Sequence, residues 1–92
     1  MLTMNLYYEM KPGTKQEFLD KVYSMEIPQK TQKEKGCIAY DFFASADKDI
    51  VLLIEKWENA DCLPAHTQQE HFKQLIALKN DYVISTTCDK FE

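Results

Sequence analysis

The residues best suited to chemistry cluster between Ile54 and Phe72: Glu55, Trp57, His66 and His71, with both of the chain's histidines and its only tryptophan among them. Imidazole exchanges protons near neutral pH, so His66 and His71 are the candidate catalytic residues. The same two rings also suit a junction of helix and sheet, where their hydrogen bonds are simply satisfied. Zinc-binding helices carry histidines four apart on one continuous helix. Here the spacing is five, a predicted helix start at Thr67 falls between them, and neither Glu55 nor Glu70 fixes a third ligand. No metal site is expected. Glu55 and Trp57 are two apart and share a strand face with Val51 and Leu53. A carboxylate in that setting is either partnered or at the wet end of its strand, and burial would raise its pKa. Trp57 is either a pocket wall or core packing. Tyr40 is either a hydrogen-bond donor into the pocket or filling at an interface. Leu53 and Phe72 complete the candidate substrate-binding set.

These side chains must be positioned by a small α+β domain. Leu2 to Met10 alternates apolar and polar residues, the period of a half-buried strand. Lys11-Pro12-Gly13 ends it. Thr14 with Glu17 reads as a capping box, opening a helix with Phe18, Leu19, Val22 and Tyr23 on its apolar stripe, joined by Met25 and Ile27. Pro28 must kink or interrupt that helix. Gln29 to Lys35 is polar and helical in character, and Gly36 closes it. Cys37 to Ala44 and Ile50 to Trp57 form a hairpin of two strands around Ser45 to Asp49. The run Ile50-Val51-Leu52-Leu53-Ile54 predicts a strand buried on both faces. Asn59 caps a short helix. Thr67 with Glu70 reads as a second capping box for a helix with stripe Phe72, Leu75 and Ile76, closed by Asn80. Tyr82 to Phe91 is the last strand.

The order β-α-β-β-α-β is the ferredoxin-like split βαβ plan, an antiparallel sheet with helices on one face. Residues 1–92 make one domain. Strands two and three, however, carry apolar residues on both faces. Each aromatic left uncovered forgoes at most roughly 5 kcal/mol, from about 200 Å² at about 25 cal/mol/Å². The second face is therefore expected to meet a second copy in a two-fold homodimer.

Composition narrows the partners. The net charge is −4, and all 11 basic residues are lysine. The chain offers no basic stripe for nucleic acid and no arginine fork for carboxylate or phosphate, which disfavours a heavily charged substrate. Three widely spaced cysteines without a C-x-x-C pair suggest reduced thiols in the cytoplasm. No segment resembles a secretory signal or a membrane span.

Gly36-Cys37-Ile38-Ala39-Tyr40, Ile54-Glu55-Lys56-Trp57-Glu58 and His66-Thr67-Gln68-Gln69-Glu70-His71-Phe72 resemble the antibiotic biosynthesis monooxygenase domain. The resemblance implies a dimeric α+β barrel with a pocket between each sheet and its helices. It also implies oxidation of phenols or quinols by O₂ without metal, haem or flavin, so no cofactor is expected. His66, His71, Glu55 and Trp57 match the family's positions. The polyketide-oxidising branch has asparagine and tyrosine where this chain has Leu53 and Leu63, and uses an arginine absent here. The haem-degrading branch has tryptophan at the position of His66. The quinol-oxidising and signal-degrading branch, with its two histidines five apart, is the nearer match; Pro64 departs from it and should strain the helix. The reading is a cofactor-independent monooxygenase acting on a small quinol-like or phenolic metabolite. The alternatives are an isomerase or degrader of a small signal molecule, and a dimeric small-molecule binder without turnover.

Overall fold

The computed structural model describes residues 1–92. Four strands, β1 (Leu2–Met10), β2 (Cys37–Ala44), β3 (Ile50–Trp57) and β4 (Val83–Phe91), form one sheet in the order β2-β3-β1-β4. All three pairings are antiparallel. Four helices, α1 (Lys15–Ser24), α2 (Ile27–Gln32), α3 (Leu63–Thr67) and α4 (Glu70–Tyr82), fill the crossovers, with a single 3₁₀ turn at Ala60–Cys62. This is the expected ferredoxin-like α+β arrangement.

The alternation read in β1 sets the faces. Tyr8 lies opposite Val51, Leu6 opposite Leu53 and Met4 opposite Glu55, so these side chains share the face that the helices cover. Phe18 of α1 is the hub of the core. Its ring meets Tyr8, Phe42 and Tyr82 edge-on at centroid distances of 6.1, 6.3 and 5.9 Å, the geometry favoured by aromatic quadrupoles. On the other face Tyr7, Leu52 and Phe43 stand abreast on three neighbouring strands. Tyr7 and Phe43 remain 38% and 50% exposed there.

Several local expectations are corrected. Neither threonine makes its capping box: Thr14 Oγ1 donates to the Lys11 carbonyl, and Thr67 Oγ1 to that of Pro64. Each hydroxyl closes the turn behind it rather than the helix ahead, and Gln69, not Thr67, precedes α4. Pro28 interrupts as expected, but by starting a new helix: Glu26 takes a left-handed φ of 57° and Pro28 sits in the first turn of α2, where its missing N–H costs nothing. Pro64 likewise occupies the first turn of α3 and strains nothing. The α2 helix ends at Gln32, so the expected helix to Lys35 is in part a turn. Asn80 does not close α4, which runs to Tyr82. Its buried face is therefore His71, Leu75, Leu78 and Tyr82, leaving Ile76 39% exposed. Tyr82 ties that face to α1 through a hydrogen bond to Glu17.

Candidate functional site

The site is built from the end of β3. Pleating sends Glu55 and Trp57 to the helix-covered face, with Glu55 beside Tyr40 of β2. Trp57 Nε1–H donates to Glu55 Oε1 at 3.1 Å. Glu55 is only 6% exposed. Burial raises its pKa, opposed by the Trp57 hydrogen bond and by the nearby His66. Its charged and titratable surroundings are Tyr8 from β1, Tyr40 from β2, His66 from α3, Lys79 from α4 and Glu34.

Beyond Trp57 the chain reverses. The Asn59 side chain accepts from Asp61 N–H at 2.9 Å, the cap expected from the sequence, and starts the 3₁₀ turn that leads into α3. The α3 helix has only five residues, and His66 is its buried one. At Gln69 the backbone becomes extended, with ψ of 145°, and α4 restarts with His71 in its first turn. That break in register turns the two rings toward a common point, with centroids 6.4 Å apart. Trp57, Phe72 and Tyr40 pack around His66 at 4.9, 5.0 and 5.9 Å.

The common point is Glu34, a residue the sequence reading did not single out. Its carboxylate lies 2.9 and 3.1 Å from His66 Nδ1 and 2.6 Å from His71 Nε2. A carboxylate accepts, so those two nitrogens carry the hydrogens. In a neutral His66 ring the free lone pair is then on Nε2. Glu34 reaches this place because Gly36 takes a φ of +84° and packs on Cys62, and because the Gly36 carbonyl accepts from Glu58 N–H at 2.8 Å. Nothing in the spacing announces a partner 32 and 37 residues away. The only signal was a polar run ending at a glycine, which reads equally as a solvated face.

Beside this triad lies an open cleft of about 420 Å³, walled by Glu34, Ala65 and Gln69 on one side and by Glu58, Asp61 and Cys62 on the other. Lys35 is the one cation in its lining. The expected pocket residues sit elsewhere. Tyr40, Leu53 and Trp57 are each at most 1% exposed in the packed interior, and Phe72 is half-buried against His66. None of the four lines the cleft, and neither do Glu55, His66 or His71; of the triad only Glu34 faces it.

The raised pKa of Glu55 has a testable consequence. A raised folded-state value favours the neutral acid; this contribution is complete below the ordinary carboxylate range and is lost as pH rises through the folded-state pKa. Glu55→Gln keeps an acceptor for Trp57 Nε1–H but has no charge to desolvate. The variant should match the wild type in thermal stability below the ordinary carboxylate range, exceed it as pH rises through the folded-state pKa, and keep a constant lead above that. A gap of the same size at both ends would contradict this account.

The family model described as antibiotic biosynthesis monooxygenase matches residues 1–78, from β1 through most of α4. The chain belongs to that family. YcnE of Bacillus subtilis (strain 168), provisionally named a monooxygenase, is 27% identical over 97% of this chain and 92% of its own. A crystal structure described as an antibiotic biosynthesis monooxygenase is 29% identical, with a TM-score of 0.84 over 100% of this chain and 97% of that one. A conserved protein from Bacteroides thetaiotaomicron VPI-5482 gives the same TM-score at 28% identity, covering 99% of this chain and 95% of its own. No helix is long and apolar enough to cross a membrane.

Proposed function

We propose that this protein is a monooxygenase that oxidises a small, neutral phenol or quinol with O₂, without a resident metal, haem or flavin. The observation that carries the proposal is Glu34 joining two buried imidazoles in an antibiotic biosynthesis monooxygenase chain. Glu34 on Nδ1 fixes the His66 tautomer and leaves Nε2 to take the hydroxyl proton, as an orienting carboxylate does in other acid–base sites. His71 holds the far side of the same carboxylate. Trp57 and Phe72 keep the His66 ring in place and exclude water around it. The resulting phenolate is the electron-rich species that reacts with O₂. One oxygen atom enters the substrate, and the other leaves as water with two of the substrate's hydrogens.

The cleft volume lies in the range of small-molecule sites. Its carboxylates accept hydrogen bonds from hydroxyl groups and repel anions, which favours an uncharged hydroxylated ring, and Lys35 is the group available to the nascent phenolate. Three free cysteines suit the reducing cytoplasm, where we place the protein. The test is oxygen uptake by metal-free protein over a panel of hydroquinones and phenols. Uptake above autoxidation that falls on substitution of His66 supports the oxygenase. A folded protein that consumes no oxygen would return the site to the binding or isomerase readings.

We also propose that the protein works as a homodimer through its open sheet face. Tyr7, Leu52 and Phe43 form an apolar row across that face, with Ile54 of the same strand beside it, and isologous pairing would remove the row from water. Light scattering should give the dimer mass at micromolar protein. Leu52→Lys should give a monomer with unchanged circular dichroism, because a side chain at the centre of an uncovered face costs the monomer little. A variant that remains dimeric would place the interface elsewhere.

A further inference from the structure

We infer that Glu34, His66 and His71 form a three-ligand site for a divalent transition-metal ion of the zinc, cobalt or nickel kind. The donor atoms, one carboxylate oxygen and two ring nitrogens, all lie within 4.8 Å of one another. Bonds of about 2.1 Å to a metal put adjacent donors roughly 3 to 3.4 Å apart in octahedral or tetrahedral geometry. The observed carboxylate–imidazole separations of 2.6 and 2.9 Å are close to such edges, and the donor set spans at most 4.8 Å, so an ion would draw the two imidazole nitrogens toward each other as it binds. Two imidazoles with one carboxylate are a borderline donor set that suits these ions over magnesium or calcium.

Three further features separate this cluster from a chance meeting of side chains. All three side chains are nearly buried, at 4%, 9% and 11% exposure for His66, His71 and Glu34, so the donors are held rather than waving in solvent. The His66 ring is clamped by Trp57 and Phe72, which fixes the direction of its Nδ1. Glu34 also lines the open cleft, which gives an ion an entry path and leaves coordination positions for water. The ion would take the place of the two bridging hydrogens, each neutral ring changing tautomer so that its hydrogen moves to the opposite nitrogen. The helix break that spoils i, i+4 spacing in the sequence is what lets two histidines five apart converge on a third ligand.

Loading would place a hydrogen on His66 Nε2, the atom assigned above as proton acceptor. The loaded site and the cofactor-free reaction are therefore alternative states, and they are tested by different measurements. The chain has two histidines, so its ring C–H resonances form a clean reporter. Titration of EDTA-stripped wild-type protein with Co²⁺ should give visible absorption bands that saturate at one equivalent and disappear on adding Zn²⁺. Both histidine resonances should shift or broaden over the same titration. Glu34→Gln and His71→Gln should each weaken binding by roughly tenfold or more. Cys62→Ser and Asp61→Asn, changed in the adjoining cleft, should bind as the wild type does. Absent bands and unmoved histidine resonances at millimolar Co²⁺ would overturn the site, whatever the oxygen-uptake result. So would wild-type affinity in both ligand variants.

Discussion

Gly36→Ala is expected to destabilise the protein by about 2–5 kcal/mol. Two costs add. A non-glycine residue in the left-handed region costs roughly 1–2 kcal/mol, and Gly36 has a φ of +84°. Forcing atoms into an occupied space costs roughly 1–3 kcal/mol more, and a Cβ at this position would run into the Cys62 sulfur. For a domain near this size each kilocalorie moves the melting temperature by about 4–8 °C, so the loss should be about 8 °C or more. Gly13 separates the two terms. Its φ is +75°, yet a Cβ there meets nothing within 4 Å. Gly13→Ala should therefore show the conformational cost alone. Adding Cys62→Ala to Gly36→Ala should recover much of the steric part. Equal melting shifts for the two glycine variants would refute the packing argument. The effect also reaches the site, because Gly36 is two residues from Glu34 and fixes the turn that presents its carboxylate.

That turn marks the limit of what could be read from residue order. The first strand is legible because pleating enforces a period of two: Leu2 to Met10 announces its faces. The apolar run Ile50 to Ile54 predicts burial on both faces, yet only Val51 and Leu53 are buried, while Ile50, Leu52 and Ile54 stay half-buried on the open face. Helix starts were less legible. A Ser/Thr-x-x-Glu pattern says that a hydroxyl can cap, not that it will, and both Thr14 and Thr67 turned back to carbonyls in the preceding turn. The two histidines, Glu55 and Trp57 were recognisable by type and by their crowding at one strand end. Glu34 was not, since its role depends on long-range contacts made by a backbone with a left-handed kink. The apolar stripe of α4 was misplaced for a related reason. An apolar stripe through Phe72, Leu75 and Ile76 closed by Asn80 leaves out an imidazole, His71, and a tyrosine beyond the expected end, Tyr82, both of which the buried face uses.

The two histidines should differ sharply in function. His66→Ala should lower oxygen uptake by about 10²–10⁴-fold, the usual yield of a positioned general base and about 2.7–5.5 kcal/mol of barrier. His71→Ala should cost only about 10–100-fold, the scale of losing an orienting partner, because its ring reaches the reaction only through Glu34. The burial of His66 among Trp57, Phe72 and Tyr40 is the ground for that order. A base acting in the chemical step also leaves a kinetic signature. Its removal should reduce kcat and kcat/KM together, since the lost interaction is made in the transition state. The residual rate of His66→Ala should then rise about tenfold per pH unit below the substrate's own hydroxyl pKa, because the substrate must ionise unaided. His71→Ala should instead keep the wild-type pH profile at a lower amplitude. If the larger loss and the steeper profile appear in His71→Ala, the two rings exchange roles; if neither variant loses activity, oxidation proceeds without either imidazole and the base must be sought at Glu55.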